Sequence, residues 1–420
     1  MKKRVLMIAN QFPPMGGSGV QRSVKFAKYL PDFDWEPIVF TRECNKGLMD
    51  ESLLSDIPKN LEVIRTKAYD LNELPKPFNL AGKLISRKML IPDGDKIWYE
   101  KNKKILLDYI KNNKIDALYT TSYPYSDHLL GLYVKKHLPK LPWIVDFRDE
   151  WCNNPYILDM GYSNRRMKKE RIMEKEVVTM CDYFITNTPL MLKNFVKDYD
   201  IEYKSYVIPN GYDEEDFIGL NKEYNKSDKL IITYSGSMYG RRKPDYFLQS
   251  INELINEDKI NKDDILIRFI GNIPSKKINE INDKYSLGDI VSYLPYMEHR
   301  KSIEKLMESD ILLFIIGEGK GAENFYSGKV FEYMNTNRPI LALVPPKGVA
   351  ADVIRETCTG YISETTDVNT IKKLSLKLYM DWRNNAIDIQ PDWQKVKTFE
   401  RKELTKELVK ILDKSYQNNR

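Results

Sequence analysis

Two glycine-bearing loops and one carboxylate on an apolar helix are the residues of this chain best placed to do chemistry. An apolar run, Leu230 to Ser235, leads into Gly236-Ser237-Met238-Tyr239-Gly240-Arg241-Arg242-Lys243-Pro244. Backbone N–H groups left open by glycine, an arginine fork and a lysine point charge are what a diphosphate requires, and Pro244 suits the first turn of a following helix. The competing reading is a solvated basic turn. Further along, Tyr326-Ser327-Gly328-Lys329-Val330-Phe331-Glu332-Tyr333-Met334 sets Ser327, Gly328 and Lys329 at a helix start. Glu332 follows one turn in on the face of Gly328, where its carboxylate could accept hydrogen bonds from ribose hydroxyls; an internal salt bridge with Lys329 or Arg338 is the alternative. Near the N-terminus, Pro13-Pro14-Met15-Gly16-Gly17-Ser18-Gly19-Val20-Gln21-Arg22 brings Gly16, Gly17, Ser18 and Gly19 ahead of a helix, so that bare backbone can approach an anion or a sugar. Its spacing is neither GxGxxG nor a Walker A loop.

These loops need elements to hold them. In the first half, apolar strand-like runs (Val5–Ala9, Pro37–Phe40, Glu62–Thr66, Ala117–Thr121, Trp143–Phe147, Tyr183–Thr186, Ser205–Ile208) alternate with helical stretches near 20–30, 96–113, 128–137, 165–180 and 189–198. The rhythm restarts at Leu230 with Ile265–Ile270, Val291–Leu294, Ile311–Ile316, Ile340–Leu343 and Tyr361-Ile362, between helices near 244–257, 300–308, 329–335, 349–357 and 368–381. Alternation of this kind predicts α/β architecture: two doubly wound, Rossmann-like domains of parallel strands, with ligand sites at the carboxyl ends of the strands and the two domains facing a cleft. The expected division is 1–210, an acidic polar linker over 211–229, a second domain over 230–392, and a C-terminal segment 393–420. In that segment Val396, Phe399, Leu404, Leu408 and Ile411 fall at near-helical spacing, predicting one helix that docks back across the domains.

The 420 residues, 42% hydrophobic and 30% charged, exclude a disordered or collagenous chain, and no apolar run approaches the length of a spanning helix. The basic start Met1-Lys2-Lys3-Arg4 precedes only five apolar residues, Val5 to Ala9, which is short for an export signal, so a cytoplasmic protein is expected. Cys44, Cys152, Cys181 and Cys358 stand far apart, and only His128, His137 and His299 could join them, so neither a disulfide framework nor a zinc site is suggested. Residues 1–205 carry 34 Lys and Arg against 27 Asp and Glu, whereas the remainder is close to neutral. That asymmetry suits an anionic partner or membrane surface as well as it suits solvated helix faces.

Five segments in order resemble glycosyltransferase family 4: Pro13 to Arg22; Ser122-Tyr123-Pro124-Tyr125-Ser126-Asp127-His128-Leu129-Leu130-Gly131; Trp143-Ile144-Val145-Asp146-Phe147-Arg148-Asp149-Glu150-Trp151; Ile208-Pro209-Asn210-Gly211-Tyr212-Asp213; and Gly328 to Met334. The resemblance implies a GT-B fold and a nucleoside diphosphate sugar held by the C-terminal domain. It also implies an acceptor held by the N-terminal domain and transfer with retention of anomeric configuration. By position, Glu332 matches the second glutamate of the family's Glu-x7-Glu motif, the ribose ligand. The first falls on Asn324, with Glu323 one residue away, which departs from the usual contact to the donor sugar. Arg241, Arg242 and Lys243 lie where the family places its diphosphate cations, and the helix-start histidine corresponds to His128. Ile91-Pro92-Asp93-Gly94-Asp95 with Trp98 resembles an acceptor-side loop.

The resulting expectation is a retaining hexosyl or amino-sugar transferase of surface polysaccharide assembly. Gly236, Ser237, Arg242, Ser327, Gly328, Lys329 and Glu332 would hold the donor, with Arg241 and Lys243 stabilising the leaving diphosphate. His128 and Asp149 are the candidates for proton transfer, and Gly16 to Gly19, Asp93 and Trp98 would face a glycan or polyprenyl-linked acceptor. Asp93-Gly94-Asp95 and Asp32-Phe33-Asp34 match the Asp-x-Asp metal signature of the other large glycosyltransferase fold, but lie away from Arg241 and Glu332. No metal, no cofactor and no nucleic-acid partner are therefore expected. The basic first half, with Trp98 and Trp151, suggests peripheral contact with an anionic bilayer at the inner face of the cell membrane. An epimerase of the same fold and a non-catalytic nucleotide-sugar binding protein are the rival readings.

Overall fold

A computed structural model describes residues 2–43, 49–67, 89–221, 223, 226–238, 240–273 and 275–418; Cys44 and Tyr239 lie outside them. The chain forms two compact units, one of residues 1–210 with 401–420 and one of residues 211–400.

In the first unit the strands are β1 (Lys3–Ile8), β2 (Trp35–Arg42), β3 (Glu62–Thr66), β4 (Ala117–Ser122), β5 (Trp143–Phe147), β6 (Tyr183–Thr186) and β7 (Ser205–Val207). They form one sheet in the order β3-β2-β1-β4-β5-β6-β7, every pairing parallel. Side chains alternate along each strand, and in the interior of the sheet, over β4, β5, β6 and β1 from Val5 on, both sets are buried, whereas the edge strands β3 and β7 are only partly covered. Val5 and Met7 of β1 enter one core with Val24, Ala27 and Leu404, while Leu6 and Ile8 enter the opposite one with Leu106, Leu130 and Val177. Each such side chain contributes about 1.5–3 kcal/mol of burial, which is why the strands read as unbroken apolar runs.

The second unit holds β8 (Leu230–Ser235), β9 (Ile265–Ile270), β10 (Val291–Leu294), β11 (Ile311–Ile315), β12 (Ile340–Leu343) and β13 (Gly360–Ser363), again all parallel, in the order β10-β9-β8-β11-β12-β13. In both sheets the winding reverses once, between β1 and β4 and between β8 and β11, and crevices outside the carboxyl ends of such strand pairs bind ligands. The doubly wound architecture expected from the sequence is thus present in each unit.

A buried ion pair braces the first unit. Arg22, on the helix Ser18–Tyr29, donates from Nε to Asp146 Oδ2 at 2.6 Å and from Nη2 to Asp146 Oδ1 at 3.0 Å. Its remaining N–H groups reach the carbonyls of Pro209 (2.8 Å) and Ile208 (2.9 Å), and Tyr119 donates its hydroxyl to Asp146. With every charge hydrogen-bonded, the pair escapes the cost of an uncompensated buried ion and locks helix, β5 and the 208–209 turn together.

Residues 211–229 belong to the second unit, where Tyr212 and Phe217 are buried. The single C-terminal helix expected over 393–420 is two, Trp393–Lys397 and Arg401–Asn418. Val396 is buried and Phe399 packs on Phe331 (5.1 Å between ring centroids) in the second unit, whereas Leu404, Leu408 and Ile411 complete a core of the first. One apolar stripe serves two cores because the helix breaks at Thr398. Lys402–Asp32 (2.6 Å) and Trp35 Nε1–Asp413 Oδ1 (3.0 Å) fasten the last helix to the first unit.

Candidate functional site

In the second unit the elements predicted to bind anions converge at the carboxyl ends of β8 and β11. β8 runs into Gly236, whose φ of +133° is open only to glycine, and the space a β-carbon would fill is occupied by the Lys329 side chain. Lys329 therefore lies across the Gly236 turn, its Nζ 5.1 Å from the centre of the Tyr234 ring. Burial pushes this ammonium down to about 7; the Arg242 charge acts the same way and Glu332 opposes both. A desolvated cation beside a second cation is an arrangement that an anion would complete.

The three successive cations take different places. Arg242 is buried with its guanidinium 5.5 Å from the Phe325 ring centre, and Arg241 packs on Gly317 and Gly319 and donates to the Lys320 carbonyl at 3.1 Å, whereas Lys243 is exposed. Ser237 lies in the same turn, its carbonyl accepting from the Tyr234 hydroxyl at 3.4 Å. Ser327 and Gly328 precede the helix Lys329–Met334, whose six residues leave only a small dipole field. Gly328 faces open space.

Glu332, half-buried, accepts at Oε1 from His299 Nε2 at 2.9 Å. Arg338, a candidate partner in the sequence, donates to backbone carbonyls such as Ser309 (3.0 Å) and Met307 (3.1 Å). His299 escaped sequence reasoning because it stands 33 residues from Glu332. Beside this cluster, past the ends of β11, β12 and β13, Glu318, Glu323, Pro346, Lys347 and Glu364 line a cavity of about 510 Å³. Asn324, the departure from the family pattern, ends the short turn Ala322–Asn324 next to it.

In the first unit the loop Gly16 to Gly19 turns through Gly17 at φ +106° into the helix opened by Ser18. Arg148 holds it, donating to the carbonyls of Gly19, Ser122 and Tyr123, and so ties the glycine loop to the end of β4. Burial lowers the Arg148 pKa, while half-buried Asp149 and Asp146 favour its charge.

His128 sits inside the helix Ser126–His137, stacked on Phe147 at 4.4 Å with Nδ1 2.9 Å from Thr120 Oγ1. Burial, aided by the Arg148 charge, pushes it down to about 3. An imidazole with so little basicity is suited to hydrogen bonding rather than to taking a proton at neutral pH.

Asp93 spends its oxygens on Ser126 (N at 3.1 Å, Oγ at 2.6 Å) and on the Asp95 amide. Trp98 is buried against Phe40 and donates to Thr66 Oγ1 at 2.8 Å. Both therefore position the loops around the site; neither presents an open polar group to an acceptor. Trp151 is likewise buried, stacked on Tyr125 at 4.7 Å and donating to Glu170 at 2.7 Å, so neither tryptophan presents its ring for the peripheral bilayer contact expected from the sequence. Asn10 and Thr121, to which sequence reasoning gave no role, emerge here beside His128 and residues of the Ser122 to Gly131 motif. Asn10 Oδ1, Thr121 Oγ1, Ser122 Oγ, Asp127 Oδ1 and His128 Nε2 are buried and lack a hydrogen-bond partner among the described residues. All belong to segments at or just beyond the carboxyl ends of β1 and β4. Unsatisfied buried polar atoms cost about 1–3 kcal/mol each, so hydroxylic ligand or water is called for at this point.

No family model matches the chain, and no curated protein matches it in sequence. Solved structures match it in fold. HepE from Anabaena, in complex with UDP and glucose, is similar at a TM-score of 0.64 with 13% identity, over 98% of this chain and 100% of that one. Sucrose-phosphate synthase from Thermosynechococcus elongatus gives 0.62 and 13%, over 99% and 100%. WaaG, a glycosyltransferase involved in lipopolysaccharide biosynthesis, gives 0.57 and 13%, over 97% and 99%. With its seven-stranded and six-stranded parallel sheets, the chain has the GT-B fold of these proteins along essentially its whole length.

Proposed function

We propose that the protein transfers a sugar from a nucleoside diphosphate sugar to a hydroxyl of a glycan or lipid-linked saccharide, as a GT-B glycosyltransferase. The observation that carries this reading is Lys329, a desolvated cation across the Gly236 turn that feels the Arg242 charge, with Glu332 one turn further along its helix. A diphosphate beside Lys329 and Arg242 would restore the missing counter-charge, and Glu332 would accept from the ribose. HepE, similar over its full length, was crystallised with UDP-glucose.

In the mechanism that follows, the glycosidic bond breaks as negative charge grows on the departing diphosphate. Cations already in place stabilise that charge without reorganising. Retention, as the resemblance implies, has the acceptor hydroxyl approach on the side the diphosphate leaves, its proton passing to the leaving oxygen. The unsatisfied polar atoms near Asn10, Ser122 and Asp127 would bind acceptor hydroxyls. Surface polysaccharide assembly is the favoured setting, since WaaG is involved in lipopolysaccharide biosynthesis and WaaB, also similar in fold, is a lipopolysaccharide outer core galactosyltransferase. A cytoplasmic location with peripheral contact to the inner membrane face belongs to the same proposal, carried by the basic first half.

A thermal-shift screen over nucleoside diphosphate sugars tests the reading, because a ligand that binds only the folded state raises the melting temperature. One nucleotide sugar should stabilise the protein, less so in Glu332→Gln, and an acceptor should then be needed for turnover. Conversion of the nucleotide sugar to its epimer without acceptor would instead establish the epimerase, and binding without turnover on any acceptor the binding protein.

A further inference from the structure

His299 lies between two carboxylates contributed by separate segments of the second unit. Its Nε2 is 2.9 Å from Glu332 Oε1 and its Nδ1 is 3.7 Å from Asp216 Oδ2, the three side chains being 14%, 21% and 16% exposed. A carboxylate only accepts, so Nε2 carries the proton and donates to Glu332. Asp216 is beyond hydrogen-bond length and acts on the ring through charge. The surroundings hold the imidazole in place. His299 opens the helix His299–Met307, and its neighbour Arg300 donates to the Ile218 carbonyl at 2.7 Å, next to the turn Glu214–Phe217 that bears Asp216. At the other side of that turn, Asn335 at the end of the Glu332 helix donates to Glu214 at 3.1 Å.

A glutamate carries three rotatable bonds, and fixing them at the moment of binding costs side-chain entropy. A carboxylate whose Oε1 is already committed to a held imidazole has its plane set in advance. We infer that His299, seated by Asp216, is a positioning residue that orients Glu332 for the ribose hydroxyls of the donor nucleotide. This inference rests on the proposed donor role of Glu332. His299 itself need touch no ligand: its effect on binding passes through the glutamate.

The experiment measures affinities for UDP, GDP and ADP, for the 2′-deoxy form of whichever binds, and for inorganic pyrophosphate, in the wild type, His299→Ala, His299→Gln, Glu332→Gln and the double variant His299→Ala/Glu332→Gln. His299→Ala should weaken nucleoside diphosphate binding about tenfold, the usual worth of a hydrogen bond to a charged group, while leaving pyrophosphate affinity unchanged. In the Glu332→Gln background the same substitution should add less than about twofold, because residues that act as one unit are non-additive. His299→Gln, whose side-chain amide can still donate to Glu332, should recover most of the affinity. Fully additive effects, an unchanged nucleotide affinity in His299→Ala, or equal loss for pyrophosphate would each overturn the inference, the last by showing a general disturbance of the site. Failure of all three nucleotides to bind the wild type overturns the donor reading itself, a different result from additive effects in a protein that binds. In that event ring-nitrogen NMR of the three histidines still tests the geometry: a His299 signal lacking the Nε2–H tautomer refutes the hydrogen bond to Glu332.

Discussion

Donor binding should take up a proton through Lys329. In the free protein burial and Arg242 hold its pKa at about 7, against about 10.4 for a lysine in water. At pH 8 about one tenth of the molecules then carry the ammonium, and a bound diphosphate that returns the group to its ordinary range draws in about 0.9 proton per site. A nucleotide sugar is the right probe, because its diphosphate has no secondary ionisation near neutrality and every proton exchanged belongs to the protein. Affinity should fall about tenfold per pH unit between about 7 and 10, since binding there requires a proton that becomes scarcer. The sign for stability is opposite: the unfolded chain holds that proton up to its ordinary pKa, so this group makes the free protein more stable as pH rises from about 7 to about 10. Titration calorimetry at pH 8 in two buffers of widely different ionisation enthalpy reads the uptake directly, and Lys329→Met should abolish the buffer dependence. Binding that persists in the wild type with the same enthalpy in both buffers refutes the assignment of Lys329 to the diphosphate.

Gly236→Ala places a methyl where the Lys329 chain lies, in a backbone conformation that L-residues avoid, so donor affinity should drop at least about tenfold and the proton uptake should vanish with it; retention of both would show that the turn does not seat Lys329. Arg22→Ala leaves Asp146 buried without its guanidinium, and urea denaturation should register a loss of about 3–5 kcal/mol, a result under about 1 kcal/mol being incompatible with the bracing role given to the pair. Transfer should retain the donor's anomeric configuration and survive EDTA. Proton NMR of the newly formed linkage decides the first, with an inverted product ruling out same-face attack, and complete loss of activity with chelator overturns the second.

The strands were legible because each sheet is covered on both faces. Runs such as Ile311–Ile315 and Ile340–Leu343 are buried throughout, and burial on both faces favours a continuous apolar segment. The glycine loops were legible for a similarly local reason, since a turn at φ +133° leaves little choice but glycine at Gly236. Less local features were not. The helix Ser275–Tyr285 went unread, as did Pro155–Asp159, the first polar and the second only five residues long.

What only the tertiary structure decided depends on groups distant in sequence. The stripe from Val396 to Ile411 keeps its helical spacing across the break at Thr398, so nothing along it says that its two ends enter different cores. Trp98 and Trp151 have the composition of surface anchors, and only the packing of Phe40 and Tyr125 against them makes them core. Which cation is desolvated is likewise set by long-range placement: Lys329 falls over a turn nearly a hundred positions earlier, while Lys243, beside that turn in sequence, stays in water. Sequence determined the elements and the chemical character of the loops, because propensity and burial pattern act over a few residues. The pairing of Glu332 with His299, and the pKa that burial imposes on Lys329 over the turn at the end of β8, arise only when the elements fold together, because electrostatics and hydrogen bonding act through space.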